Sequence, residues 1–289
     1  LNTGKACIKA LKKKGYKVSK FDPKYKNLNL INKKNTDIIF NALHGKNGED
    51  GIAQTYFEYL KIPYTHSGVI SSYNAMNKII SKKIFIKNKI KTPKFFSILK
   101  EDFNNKKLKK KIIKAKINFP IVVKPINEGS SLGVKICKNY EILFKETKNL
   151  FKSYLELIFE EFIGGQEIQV AVINGVALGA IELIPRRLFY DYKAKYTKKA
   201  KTKHVMPARL IRKKYKEVLQ IAKNTHKVLG CRGVTRSDFK FYKNVFYLLE
   251  LNTQPGMTSL SLVPEIANYA GLTFNNLVEK ILLDASVNR

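Results

Sequence analysis

Residues 237–261 read S-D-F-K-F-Y-K-N-V-F-Y-L-L-E-L-N-T-Q-P-G-M-T-S-L-S. The runs Ser237–Phe241 and Val245–Leu251 have strand-like content and flank a Lys243-Asn244 turn. Folding this hairpin about Asn244 sets Asp238 opposite Glu250. Side chains alternate along a strand, so Asn252 shares the face of Glu250. Two carboxylates and an amide oxygen then converge. Such a hard-oxygen set suits Mg²⁺, which takes few protein ligands and shares the rest with phosphates and water. Pro255-Gly256 follows, where the backbone can turn and present N–H groups to an anion. A surface hairpin with scattered acids is the competing reading. It fits poorly in a chain with 55 Lys and Arg against 22 Asp and Glu, where acids gathered on one strand face stand out.

Working outward, 289 residues allow two or three domains with cores of their own. A hydrophobic content of 44% belongs to globular proteins rather than disordered ones. No apolar run approaches the roughly 18 residues that span a bilayer, so no membrane partner is expected. No signal-peptide pattern opens the sequence. Cys7, Cys137 and Cys231 are odd in number, widely spaced and form no C-x-x-C. They read as reduced thiols in a cytoplasm. The net charge of +33 raises nucleic acid as a partner. Yet the lysines are dispersed, with no Arg-rich arm and no recognition motif. The reading is therefore no specific nucleic acid, with any binding weak and steeply salt-dependent.

Along the chain, Asn2–Lys14 reads as a helix stopped by Gly15. Asp37–Ala42 reads as a short buried strand. It runs into the loop His44-Gly45-Lys46-Asn47-Gly48-Glu49-Asp50-Gly51 and a helix to Leu60, the order by which open α/β sheets present ligands. Helices are expected over 78–88, 102–116, 140–151, 212–229 and 274–285. Strands are expected at 121–124, 134–137, 157–162, 167–173 and 177–184, with another short one after Pro93. The runs Lys106–Lys116 and Lys193–Lys203 are lysine-rich, the first a solvated helix face. Three segments result, 1–76, 77–166 and 167–289. Lys124 ends an apolar strand just before the loop Glu128-Gly129-Ser130-Ser131-Leu132-Gly133. A cation beside a flexible Gly-Ser loop can grip a polyphosphate, though a lysine at a strand end is also simply exposed. Arg236 precedes Asp238 by two residues on one strand face. Its fork suits a developing carboxyl-type charge, or a plain surface ion pair.

The stretch D-x(11)-E-L-N-T-Q-P-G-M-T resembles the metal-binding end of the ATP-grasp ligases. Five further motifs resemble one group of them, the D-alanine–D-alanine ligases. These are N-A-L-H-G-K-N-G-E-D-G (41–51), I-P-Y-T-H-S-G-V (62–69), V-V-K-P-I-N-E-G-S-S-L-G-V (122–134), F-Y-D-Y-K-A-K-Y (189–196) and S-L-S-L-V-P (259–264). They stand in family order over nearly the whole chain. The resemblance implies an α/β, three-domain ATP-grasp architecture with a Rossmann-like N-terminal domain. It implies ligation of two D-alanines through an acyl phosphate, for peptidoglycan precursors, in a cytoplasmic homodimer. A related ligase using D-lactate or D-serine, and a degenerate nucleotide-binding protein, are the alternative readings.

Residue by residue, the resemblance assigns Lys78, Lys124 and Lys195 to the ATP phosphates. It makes Glu160-Glu161-Phe162-Ile163 the hinge whose backbone meets adenine, and gives Glu167 the ribose hydroxyls. Asp238, Glu250 and Asn252 take Mg²⁺ or Mn²⁺, two ions in all. Arg236 and the Gly256 N–H face the oxyanion. Ser130 and Tyr196 surround the first D-alanine. Ser261, with the N–H of Leu262, takes the carboxylate of the second. His44 lies near the reacting carboxyl, or packs a loop. Tyr196 is similar to the dipeptide-forming class, where ester-forming relatives tend to carry histidine. The basic loop 186–206 would cover the site and exclude water from the acyl phosphate. Gly164-Gly165-Gln166 in the hinge and Asn77 before Lys78 depart mildly from the pattern. The family also opens with a strand, a Gly-rich turn and a glutamate ahead of its first helix. Leu1 begins at that helix, so residues 1–289 alone are expected to bind nucleotide and ligate poorly.

Overall fold

A computed structural model describes residues 2–129, 131–184, 202–258 and 260–289. Ser130, Lys195, Tyr196, Ser259 and most of the basic loop 186–206 lie outside the described residues. The helices are α1 (Asn2–Lys13), α2 (Ile52–Leu60), α3 (Val69–Met76), α4 (Lys78–Lys87), α5 (Asn105–Ala115), α6 (Tyr140–Leu150), α7 (Arg212–Val228), α8 (Leu262–Tyr269) and α9 (Phe274–Leu283). The strands are β1 (Phe95–Leu99), β2 (Ile121–Pro125), β3 (Lys135–Cys137), β4 (Glu156–Glu161), β5 (Gln166–Ile173), β6 (Val176–Ile184), β7 (Lys203–Val205), β8 (Val234–Tyr242) and β9 (Val245–Asn252).

Side-chain caps explain several helix starts. Asn77, Asn104, Asn139 and Thr273 each accept a backbone N–H from the first turn of α4, α5, α6 and α9. At Asn77 this gives the departure noted in sequence a local reason. Its Oδ1 takes the N–H groups of both Ile79 and Ile80 at 3.1 Å. The lysine-rich α5 buries Leu108 and leaves its charges in solvent, as its composition implies.

The strands form two antiparallel sheets, β1-β4-β2-β3 and β7-β6-β5-β8-β9. In the first, alternation sends Ile121, Val123, Leu157 and Phe159 into a core with residues of α5 and α6. Val122, Lys124, Ile158 and Glu160 share the other face, because Val122 pairs with Glu160 and Lys124 with Ile158. The second sheet carries helices on both faces. Ile168, Val170 and Val172 pack with α7, while Ala171 and Ile173 pack with α1, α8 and α9. On that second face the apolar stretch gives way to polar residues toward Gln169, Asp238 and Glu250.

The N-terminal segment differs from its sequence reading. Residues 37–42 form no strand. A single parallel bridge joins Ile39 to Tyr64, and Tyr64 bridges on to Ser286. Ile38 is exposed rather than buried, so the run lacks the two-sided burial that a parallel strand requires. Helices α3 and α8 are additions to that reading, and residues 203–205 of the expected basic loop form edge strand β7.

The connection between β4 and β5 turns at Gly165, at φ +83°, where a Cβ would overlap the Phe241 carbonyl oxygen. Gly165→Ala is expected to destabilise the fold by about 1–3 kcal/mol through backbone strain and this clash. Thermal unfolding of the variant checks this, and an unchanged midpoint would show that the turn relaxes freely.

Candidate active site

The hairpin turn is the two-residue pair Lys243-Asn244, both at positive φ (46° and 64°), as a twisted hairpin favours. Tyr242 pairs with Val245 and Phe239 with Leu248. Continued regularly, that register would set Leu249 against Asp238. A bulge takes up the extra residue, and Asp238 pairs with Glu250, Ser237 with Leu251 and Arg236 with Asn252. The bulge also switches parity. Phe246, Leu248 and Leu251 all face the core, and Glu250 and Asn252 face the opposite way.

Asp238, 6% exposed, meets both arms of a neighbouring fork. Arg236 donates to it through Nε at 2.7 Å and Nη2 at 2.9 Å, and the Asn252 amide lies 3.5 Å from the same carboxylate. Glu250 lies 3.7 Å from Lys78 Nζ. Lys78 is buried and also donates to the Glu128 carbonyl. Burial holds its pKa below the usual lysine value, with Glu250 opposing that shift. Among the described residues no cluster of three or more His, Cys, Asp or Glu is found. Asp238, Glu250 and Asn252, two carboxylates and an amide, lie together on one sheet face.

Across from the hairpin, Lys124 lies 2.9 Å from Glu160 Oε2, and Lys82 lies 3.2 Å from Glu160 Oε1. Burial alone would raise the Glu160 pKa. Lys124 and Lys82 outweigh it and keep the carboxyl below its usual range. Glu160, the first residue of the expected hinge, sits inside β4, paired with both Phe95 and Val122, and its side chain meets these lysines. Glu161 ends β4 with its N–H on Lys94 O, the Phe162 N–H bonds Pro120 O, and buried Ile163 begins the connection to β5. Glu167 lies 3.1 Å from Lys240 Nζ, its cross-strand partner.

The loop 44–51 is pinned from beneath. Buried Asn41 and Gln54 both donate to the Gly48 carbonyl at 3.1 Å. This aims His44, whose Nδ1 donates to Gln254 O at 3.1 Å, leaving Nε2 to accept from the Thr3 hydroxyl at 2.9 Å. Glu49 stands 3.8 Å from His44. Ser261 stands at the N-cap position of α8 without a side-chain bond into the helix; its Oγ instead accepts from Thr258 N at 3.0 Å, and Gly256 lies beside it, where a Cβ would come 3.0 Å from that Oγ. Glu49, Lys78, Glu128, Gly129, Glu250 and Asn252 line one solvent-open cleft. Sequence reasoning passed over Glu49, although the loop containing it was singled out. It also passed over Lys82, which nothing in the sequence distinguishes from its solvated neighbours.

The chain resembles known proteins over nearly its whole length. A family model described as D-ala D-ala ligase N-terminus matches residues 2–67, and one described as D-ala D-ala ligase C-terminus matches residues 84–283. The chain is 58% identical over 295 residues to the D-alanine–D-alanine ligase of Pelagibacter ubique, covering 100% of this chain and 94% of that protein. It is 44% identical to the D-alanine–D-alanine ligase of Wolbachia pipientis wMel, covering 99% and 89%. Among solved structures, the D-alanine–D-alanine ligase of Bacillus anthracis complexed with ATP superposes with a TM-score of 0.83 at 32% identity, covering 98% of this chain and 90% of that one.

Proposed function

The chain belongs to the D-alanine–D-alanine ligase family and acts as an ATP-dependent ligase of D-alanine, and we propose that the cleft between the two sheets carries the reaction through an acyl phosphate. The observation that carries this reading is the shared polar face of Asp238, Glu250 and Asn252, with Lys78 reaching Glu250 from α4. We divide the chain into 1–76, 77–166 and 167–289, with nucleotide held between the second and third parts. The product supplies peptidoglycan precursors, and the enzyme works in the cytoplasm, where ATP is. Cys7, Cys137 and Cys231 are buried free thiols, and no described helix is long and apolar enough to cross a membrane.

Adenine would meet the backbone from Glu161 to Ile163, and Glu167 would turn from Lys240 to the ribose hydroxyls. Lys78 and Lys124 would neutralise the phosphates, joined by Lys195 on the strength of the family resemblance. The donor set Asp238, Glu250 and Asn252 fits Mg²⁺ or Mn²⁺, since its oxygens are hard and share one face. A divalent ion there, or a pair of them, would offset charge on the transferring phosphoryl group.

In the first step a carboxylate oxygen of D-alanine bonds to the γ-phosphorus, and the bond to ADP breaks. Ser130 and Tyr196 orient that substrate in this reading, with His44 close to its carboxyl. In the second step the amine of the other D-alanine attacks the acyl carbon. Arg236 and the Gly256 N–H stabilise the oxyanion. Its collapse expels phosphate, and the attacking nitrogen loses a proton. Ser261 and the Leu262 N–H, at the positive end of α8, hold the second carboxylate.

Phosphate release from ATP should require D-alanine. The test offers D-alanine, D-lactate and D-serine as acceptors, with D-alanine expected to dominate. Equal turnover of another acceptor would reassign the product, and nucleotide binding without release would mark a non-turning-over protein. We also assign a homodimer contact to α2 and α3, where Ile52, Tyr59, Ile70 and Tyr73 are exposed. Sedimentation should give a dimer that Tyr59→Glu/Ile70→Glu dissociates; a monomeric parent protein would refute it.

A further inference from the structure

Lys82 lies one turn after Lys78 on α4 and is completely buried. Its ammonium is 3.2 Å from Glu160 Oε1, donates to Thr92 Oγ1 at 2.6 Å, and lies 5.6 Å from the Phe95 ring centre. The Thr92 hydroxyl donates in turn to Leu248 O of β9 at 2.8 Å, one residue ahead of the hairpin bulge. The other Glu160 oxygen is 2.9 Å from Lys124. A single carboxylate thus serves two ammonium groups. Burial lowers the Lys82 pKa to about 8, with Glu160 drawing it back up, so Lys82 is charged at neutral pH.

The charge balance has a direction. Glu160 is buried and must stay paired. Lys82 is sealed behind it and cannot touch a ligand, whereas Lys124 sits on the sheet face opposite the metal hairpin. We infer that Lys82 is a positioning residue for the nucleotide: it neutralises Glu160, so that the charge of Lys124 remains available to the polyphosphate. Without Lys82, Glu160 and Lys124 would form a closed pair of zero net charge. The Thr92 bond adds a second effect, because it ties this cluster to the strand that carries Glu250.

This inference rests on Lys124 being a phosphate ligand, and the experiment separates the two. Steady-state kinetics are measured for Lys82→Met, Lys124→Met and Lys82→Met/Glu160→Gln, with thermal unfolding to establish folding. Lys82→Met should raise the KM for ATP roughly tenfold or more, with the KM for D-alanine unchanged, since one unit charge is lost from the nucleotide side. Removing Glu160 as well should return the ATP KM to within a few-fold of the parent value, because Lys124 regains its surplus charge. A purely structural role for Lys82 would give no such rescue. If Lys82→Met fails to fold, the double variant still decides, since a buried pair replaced by neutral groups is commonly tolerated. An unchanged ATP KM in Lys82→Met, or a folded double variant with a KM still raised tenfold, would overturn the inference. An unchanged ATP KM in Lys124→Met would instead overturn the assignment of Lys124.

Discussion

Glu250→Gln is expected to cut D-alanine-dependent ADP formation by at least about a hundredfold while leaving the fold intact. The substitution keeps size and removes charge from one of two carboxylates that would hold the divalent ion. Such ions supply several kcal/mol of charge stabilisation in phosphoryl transfer, and each ~1.4 kcal/mol is tenfold in rate. The side chain stands on the face opposite Leu248 and Leu251, so the core of the sheet does not depend on it. The loss should appear in kcat and in the response to added Mg²⁺ or Mn²⁺, with the unfolding midpoint preserved. Normal turnover at the usual metal concentration would remove Glu250 from the metal site.

Arg236→Lys carries the second large effect. It keeps a positive charge beside Asp238 but replaces a two-pronged contact, at 2.7 and 2.9 Å, by a single ammonium. A lysine cannot reproduce the planar fork that, in the proposed reaction, would hold an oxyanion while its neighbour holds a metal. Loss of one oxyanion donor typically costs on the order of 10²–10³ in kcat. The expected signature is a fall of that size in kcat with the KM for ATP changed by less than a few-fold. A matching rise in the KM for ATP would mean that Arg236 serves the nucleotide rather than the acyl centre.

What the sequence made legible follows from which signals are local. Strands such as Ile121–Pro125 and Gln166–Ile173 are short apolar runs bounded by turn residues, and they stand within a residue of where they were read. The hairpin pairing of Asp238 with Glu250 was also read correctly, though by counting about Asn244. The turn is in fact two residues long, and a bulge makes up the difference. That compensation depends on which side of Leu249 the core lies, a tertiary fact. The order β1-β4-β2-β3 is likewise set by which strands meet, not by any one segment. Helix α3, V-I-S-S-Y-N-A-M, has little apolar periodicity, and α8 carries Pro264 in its first turn. Both were hidden for those reasons. Lys82 was invisible for a different one. In a chain this rich in lysine, a buried ammonium and a solvated one are spelled alike, and the carboxylate that distinguishes it is 78 residues away in β4.

The ion pairs at the hairpin make the resting site a set of placeholders. Asp238 already holds a cation in Arg236, and Glu250 has one close by in Lys78. In the proposed site these carboxylates would bind a metal more freely as those cations find other anions, and a polyphosphate or an acyl phosphate would be the anion at hand. Conversely, the cations can turn toward phosphate only as the carboxylates are re-paired. Each exchange lowers the cost of the other, which is the condition for reciprocal coupling between two ligands. In the proposed site this would favour a divalent ion and a nucleotide arriving as one complex, a coincidence detector for the pair.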